Sequence, residues 1–442
     1  MKKTNKLFIK IIIGVAIVLL LLLVGGLIIL SLSNRKPAAA FYGISEKTRA
    51  EIITNLQKSG TARKNGKDPY EIVILDDSKP LENALKSVRK IDILFVHDGL
   101  NAEKIYKTVQ DKDIGFVKDA ALNGMSTSIK QTAPVYTDKK FISSIPNNLT
   151  EEKRKEYYDV NRLHTKVSAI PLLNDNMEID VKFQNFLDSK IGAVNKLNDI
   201  EKLSEYNKKV ARTPILFAAG DDDEIINVYG ALVEALNGLD AWEKTVKEIK
   251  KATDSKKKGN ISVSDVAENL LKEGNPLYET SQMLKKWISS GYIPKNITQL
   301  NKKDVKAYVN AEDTAVVFMT LEEHRTYDEK VISKYRSIYY PSKTMSVKRN
   351  FSAPVIMAVP LSKNEMARKS IKMLTKDMQT QLSYGTGLAP AQANCGIPDK
   401  QADDARYWVA ASEKPVPLLS DAAFLSKTQK AAFAAALRAD LR

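Results

Sequence analysis

Cysteine is nearly absent from the 442-residue chain, with Cys395 standing alone. A lone thiol cannot close an intramolecular disulfide, and a zinc site made of several cysteines is excluded. Histidine is almost as scarce. His97, His164 and His324 lie far apart and none sits in an H-E-x-x-H arrangement, so metal-assisted hydrolysis and thiol redox chemistry have no residues to carry them. Cys395, just before Gly396, reads as a small residue near a turn. Enzyme signatures are missing too. There is no G-x-S-x-G elbow, and Ser87-Val-Arg-Lys90 has S-x-x-K spacing without a later S-D-N or K-T-G. The stretch from Gly60 to Lys67 is one residue too long for a phosphate loop and puts Asp68 where Ser or Thr would hold magnesium. The run Asp221-Asp-Asp-Glu224 lacks the alternating oxygen ligands and glycine of an EF-hand loop, and reads instead as charge compensation at a helix N-terminus. These absences predict a protein that is not an enzyme and has no metal or cofactor.

The composition is that of a folded protein, 43% hydrophobic and 27% charged, and the length favours two lobes over one core. The formal net charge is +15, but the basic residues lie beside an apolar segment or are scattered singly among Asp and Glu. That pattern predicts solubility and attraction to anionic lipid or wall polymer, with no nucleic-acid partner.

Ile11 to Leu30 is an uncharged run of mainly Ile, Leu and Val, long enough at the helical rise to cross the hydrocarbon core. Lys2, Lys3, Lys6 and Lys10 precede it and only Arg35 and Lys36 follow closely, so the N-terminus is expected in the cytoplasm and the chain beyond about Asn34 outside. Ala38-Ala39-Ala40 offers a small-residue cleavage site. The apolar run is longer than a usual signal core, however, so an uncleaved signal anchor is the preferred reading. No cysteine follows this segment for lipid attachment.

After a linker over Ser33 to Ala40, short apolar runs alternate with amphipathic segments. The runs are Glu71 to Leu75, Ile91 to Val96, Val167 to Pro171, Pro214 to Ala218, Thr314 to Met319 and Pro354 to Val359. Brief buried strands between helices predict an α/β fold. One helix opens at Asp221 to Glu224. Another has Ser362 and Glu365 as a capping box, then Ala367, Ile371, Leu374, Met378 and Leu382 on one face, running to about Tyr384 before the Gly385/Gly387 turn. Leu284, Trp287 and Ile288 line a helix that stops at Gly291, and Lys427 to Arg442 is a final helix. Lys250 to Gly259, rich in Lys and Ser, reads as a solvated loop.

Four stretches carry a family resemblance. They are Ile91-Asp-Ile-Leu-Phe-Val-His-Asp98 and Lys166-Val-Ser-Ala-Ile-Pro-Leu172; the series Pro214 to Gly220, Leu236-Asn-Gly238, Trp287 to Pro294 and Ala315 to Met319; and Ala358 to Ala367 with Gly385-Thr-Gly-Leu-Ala-Pro390. In this order the chain resembles the extracellular solute-binding proteins of family 1, which include the maltose-binding proteins of ABC importers. The resemblance implies a two-lobed type II periplasmic-binding-protein fold, here preceded by one transmembrane helix. The apolar run sets 1–36 as cytoplasmic N-terminus and anchor, and the resemblance implies 41–168 with 352–393 as one lobe and 169–351 with 394–442 as the other. It further implies a monomer on the extracytoplasmic face of the membrane that captures a small polar solute, carbohydrate among the candidates, by hinge closure and delivers it to an ABC permease. A membrane-tethered sensor or scaffold that keeps the fold without transport is the alternative, and a cell-wall enzyme the more distant one.

Phe95, His97, Asp98 and Asn101 lie at or after the end of a strand, where open α/β sheets present ligand loops. Asp98 suits sugar hydroxyls and equally suits a helix cap before Ala102; Phe95 also suits a core. Where the family frequently has Gly and Trp after its Ala-rich strand, this chain has Thr320-Leu-Glu-Glu-His324, so Glu322 and His324 are candidates for a polar or cationic solute. Trp408 is the candidate aromatic wall, with Trp242 and Trp287 as packing residues.

Overall fold

Odd- and even-numbered residues of Ala38–Tyr42 face opposite ways, and both sets are buried, so this segment is an inner strand covered on two sides. The computed structural model describes residues 36–59, 69–88, 90–111, 163–164, 172–173, 198, 200, 201, 204, 205, 208, 213–253, 262–311, 313–332, 335–336, 351–352, 355–362, 364–374, 378–390, 395–403 and 415–442. The expected membrane segment Ile11 to Leu30 and the candidate Trp408 lie outside these residues. Among the described residues no helix is long and apolar enough to cross a membrane.

The first body runs β1 (Ala38–Tyr42), α1 (Glu46–Ser59), β2 (Glu71–Ile74), α2 (Leu81–Lys86), β3 (Ile93–His97), α3 (Leu100–Asp111) and β4 (Leu163–His164). The chain then builds a second body from β5 (Leu172–Leu173), β6 (Thr213–Leu216), α4 (Asp222–Asn237), α5 (Leu239–Thr253), α6 (Val263–Leu270), α7 (Pro276–Ser289), α8 (Lys302–Asn310), β7 (Thr314–Val317), α9 (Leu321–His324), α10 (Glu329–Ile332) and β8 (Tyr335–Arg336). After β9 (Phe351–Ser352) it returns to the first body with β10 (Val355–Pro360), α11 (Glu365–Lys372) and α12 (Gln379–Thr386). It then crosses again through β11 (Pro415–Val416) to α13 (Leu419–Ala423) and α14 (Lys427–Leu441).

Among the described residues two sheets result, in the orders β2-β1-β3-β10-β4 and β6-β7-β5-β8, with β9 and β11 forming a separate parallel pair. In the first, β1 is parallel to β2 and β3, while β10 runs antiparallel between β3 and β4. A sheet position filled by a strand some 200 residues further along ties the body to its own return segment. Ala39, Phe41, Ile93 and Phe95 pack under α1, α11 and α12, whereas Ala40, Tyr42, Leu94 and Val96 pack under α2 and α3. Phe41 and Phe95 stack with centroids 4.8 Å apart, at the offset-stacking distance that favours aromatic pairs. The second core gathers Phe217, Phe318, Trp287, Trp242 and Phe433 around β6 and β7.

Three local expectations need correction. Ala38 to Ala40, expected as the end of a linker, is part of a central strand; a cut after Ala40 would remove three of its five residues. The cap of α11 is Asn364, whose Oδ1 accepts from the Ala367 N–H, while Ser362 donates to Asp92 at 2.5 Å. The single helix expected to Tyr384 is also interrupted, since the Met378 N–H reaches back five residues to the Met373 carbonyl before α12 begins. Gly387, at φ 74°, ends α12 in the left-handed conformation that suits glycine.

Candidate functional site

The first sheet presents the carboxyl ends of β1, β2 and β3 to the second body, and a cavity of about 120 Å³ lies between them. Its first-body wall is Tyr42, Gly43, Asp77, Val96, His97 and Asn101. Opposite stand Asp223 from the first turn of α4, Asp421 from α13, and Ser426, Lys427 and Lys430 at the start of α14. Loops beyond the carboxyl ends of parallel strands are where open α/β sheets bind ligands.

Direct contacts close the bodies around this cavity. The Tyr42 hydroxyl lies 2.8 Å from the Leu425 carbonyl, which also accepts from Asn101 Nδ2 at 3.2 Å. The Lys427 N–H donates to the Asp77 carbonyl at 2.9 Å, and Thr428 Oγ1 donates to the Ser78 carbonyl at 2.9 Å. Lys250 pairs with Glu103 at 3.0 Å. Gly99 permits the approach: at φ 141° it has a conformation that side chains disfavour, and a Cβ there would collide with the main-chain oxygen of Asp421.

A second set of contacts joins the bodies at α9. Glu322 Oε1 accepts from Ser45 Oγ and, at 2.8 Å, from Thr48 Oγ1. Arg325 donates to the Gly387 carbonyl at 2.9 Å and forks onto both carboxylate oxygens of Asp399. Asp399 follows a segment anchored on α12, where the Gly396 N–H meets Thr380 Oγ1 at 3.1 Å. Burial works to raise the Asp399 pKa, but hydrogen bonds from Arg325 and the Ala402 N–H outweigh it and hold the carboxyl below its ordinary range.

Each residue of the acidic run has a partner. Asp222 pairs with Arg438 at 2.6 Å, Asp223 with Lys430 at 3.1 Å and Glu224 with Lys302 at 2.8 Å, while Asp221 accepts from the Lys302 N–H. Lys430 also meets Asp421 at 3.4 Å. Burial disfavours its ammonium, yet the two carboxylates raise its pKa above the usual lysine value. Burial likewise raises the pKa of Tyr42, keeping the phenol protonated as a donor. Among the described residues no group of three or more His, Cys, Asp or Glu is placed to hold a metal ion.

Of the candidates drawn from sequence, His97 and Asn101 line the cavity and Glu322 joins the bodies at α9. His324 is buried close enough to Asp399 to help lower its pKa. Asp98 is buried beside the cavity rather than on its wall, and Phe95 is in the core on Phe41. Sequence reasoning missed Tyr42, Asp77, Asp421, Lys427 and Lys430. One signal was legible, because Lys427 and Lys430 put cations at the positive end of a helix dipole and so break a local rule.

No family model matches the chain, and no curated protein matches it. Solved structures do match its fold. The bacterial solute receptor AcbH, with an exclusive preference for β-D-galactopyranose, is 11% identical over 92% of this chain and 98% of its own, at a TM-score of 0.57. A sugar transporter protein from Bacillus licheniformis in complex with stachyose is 13% identical over 90% and 94%, at 0.53. Maltose-bound MalE3 from T. maritima is 10% identical over 91% and 98%, at 0.51. Over about nine-tenths of its length, therefore, the chain has the two-lobed periplasmic-binding-protein fold of bacterial sugar-binding receptors, the fold that its resemblance to solute-binding family 1 implies.

Proposed function

We propose that this chain is the solute-capturing component of an ABC importer, held on the extracytoplasmic face by Ile11 to Leu30 and working as a monomer with its permease. The observation that carries the reading is the cavity at the carboxyl ends of β1 to β3, closed by polar side chains from both bodies. A solute that contacts both walls favours the shut arrangement, and that differential affinity is what drives hinge closure. His97 and Asn101 contact the solute from one side, while Glu322 and His324 belong to the closing contact at α9. The central position of Ala38 to Ala40 in β1 supports retention of the membrane segment over cleavage there. Binding, not catalysis, is the role, as for the receptors that share the fold.

A thermal-shift screen of the full chain in detergent against sugars, polyols, amino acids and oligopeptides tests this. One solute class should raise the melting temperature, since a ligand at a hundred times its Kd stabilises by about 2.7 kcal/mol. A flat response across all four classes would remove the transport role. The direct contacts of Glu322, Arg325 and Lys427 across the bodies favour, in that event, the second reading of a tethered sensor or scaffold.

A further inference from the structure

Size is the first constraint on what the cavity holds. About 120 Å³ is well below the roughly 300 Å³ at which small-molecule clefts usually begin. An engineered cavity of about 150 Å³ accepts benzene, and a hexose has about twice as many non-hydrogen atoms. With the bodies in contact as they are, the space excludes a sugar ring and admits a solute of only a few heavy atoms.

The walls are the second constraint. Sugar sites use exposed aromatic faces with a few polar groups, but among the described residues the only benzenoid ring here is Tyr42, which is buried and has its hydroxyl set against the Lys79 and Leu425 carbonyls. The other groups are largely charged. Lys430 is paired with Asp223 and Asp421, and the uncharged Asn101 bonds Leu81 N–H and Leu425 O with one amide hydrogen left for a solute. Two charged residues of the lining have no ion pair among the described residues, Asp77 from the first body and Lys427 from the second. Their main chains are joined by the hydrogen bond from Lys427 N to Asp77 O at 2.9 Å, so residues of opposite charge from opposite bodies line one small space.

The geometry points to a compact zwitterion, such as a small amino acid, as the solute, its ammonium held by Asp77 and its carboxylate by Lys427. This rests on the solute-capture reading and narrows it. A zwitterion couples the two bodies through both of its charges, whereas a singly charged solute engages only one wall and leaves the other charge without a partner, a costly outcome in a partly desolvated site.

Isothermal titration of the full chain in detergent micelles tests the assignment with glycine and alanine as probes, acetate and methylammonium as single-charge controls, and galactose and maltose as sugar controls. Saturable binding of glycine or alanine, with each single-charge probe weaker by about tenfold or more, supports it. Asp77→Asn and Lys427→Gln, close in shape and placed at the surface of the contact, should each weaken that binding by about tenfold while leaving the melting temperature of the unliganded chain within a few degrees. Binding of a sugar but of neither amino acid overturns the zwitterion and leaves solute capture standing. Equal binding of acetate or methylammonium, or full-strength glycine binding by both variants, overturns the two-charge site. Binding of no probe, together with a flat thermal screen, removes both readings.

Discussion

Lys430 stands in the first turn of α14, where the helix dipole disfavours a cation, and it is held there by Asp223 and Asp421 from two other helices. Tertiary partners override the local rule. Lys430→Met should therefore cost about 2 kcal/mol, less than the ~3–5 for a fully buried broken pair because Asp223 is half exposed, read as a lower urea midpoint. Lys430→Arg should recover much of the loss. Because its folded pKa is raised, the lysine's contribution is complete below the unfolded value of about 10.4 and is lost as pH rises beyond that value. The Met variant and the parent should thus converge only in strong alkali. Asp223 was legible in sequence as part of an acidic run at a helix start, but its lysine lies some 200 residues further along the chain, and no local pattern names Lys430 or its second partner Asp421.

At the level of elements, strands with β-branched residues were readable, as in Glu71–Ile74, Ile93–His97 and Val355–Pro360. Ala38–Tyr42 was not, because alanine has low strand preference and the segment adjoins an apolar membrane run. Missing β1 hid Tyr42 and Gly43, and with them a third of the cavity's first wall. The start of α11 was misplaced for a related reason: Ser362 and Glu365 have capping-box spacing, but buried Asp92 claims the serine hydroxyl and Asn364 is left to cap. Asn364→Ala should cost about 1 kcal/mol in chemical denaturation by freeing the Ala367 N–H, the usual loss for such a cap. Were Ser362 the true cap, that change would be nearly silent.

For the whole molecule, the contacts between bodies fall into two groups. One surrounds the cavity through Gly99, Tyr42 and the start of α14; the other joins α9 to α1 and to the end of α12. A hinge that opens must break at least one group, and the α9 group is made of side chains that substitution can remove without touching either core. Glu322→Ala with Arg325→Ala abolishes the bonds to Ser45, Thr48, Gly387 and Asp399. With Cys395→Ser, spin labels at Lys47→Cys on α1 and Glu329→Cys on α10 should then move apart and show a broader distance distribution than in the parent pair. Acid should act in the same direction on the parent. The depressed Asp399 pKa makes its contribution complete above the unfolded value of about 3.9 and lost as pH falls below it, so the labels should separate in that lower range and not between pH ~5 and ~7. A distance distribution unchanged by the paired substitutions would mean that the bodies are fixed by the cavity-side contacts alone, and closure would then have to pivot on α9 instead of closing onto it.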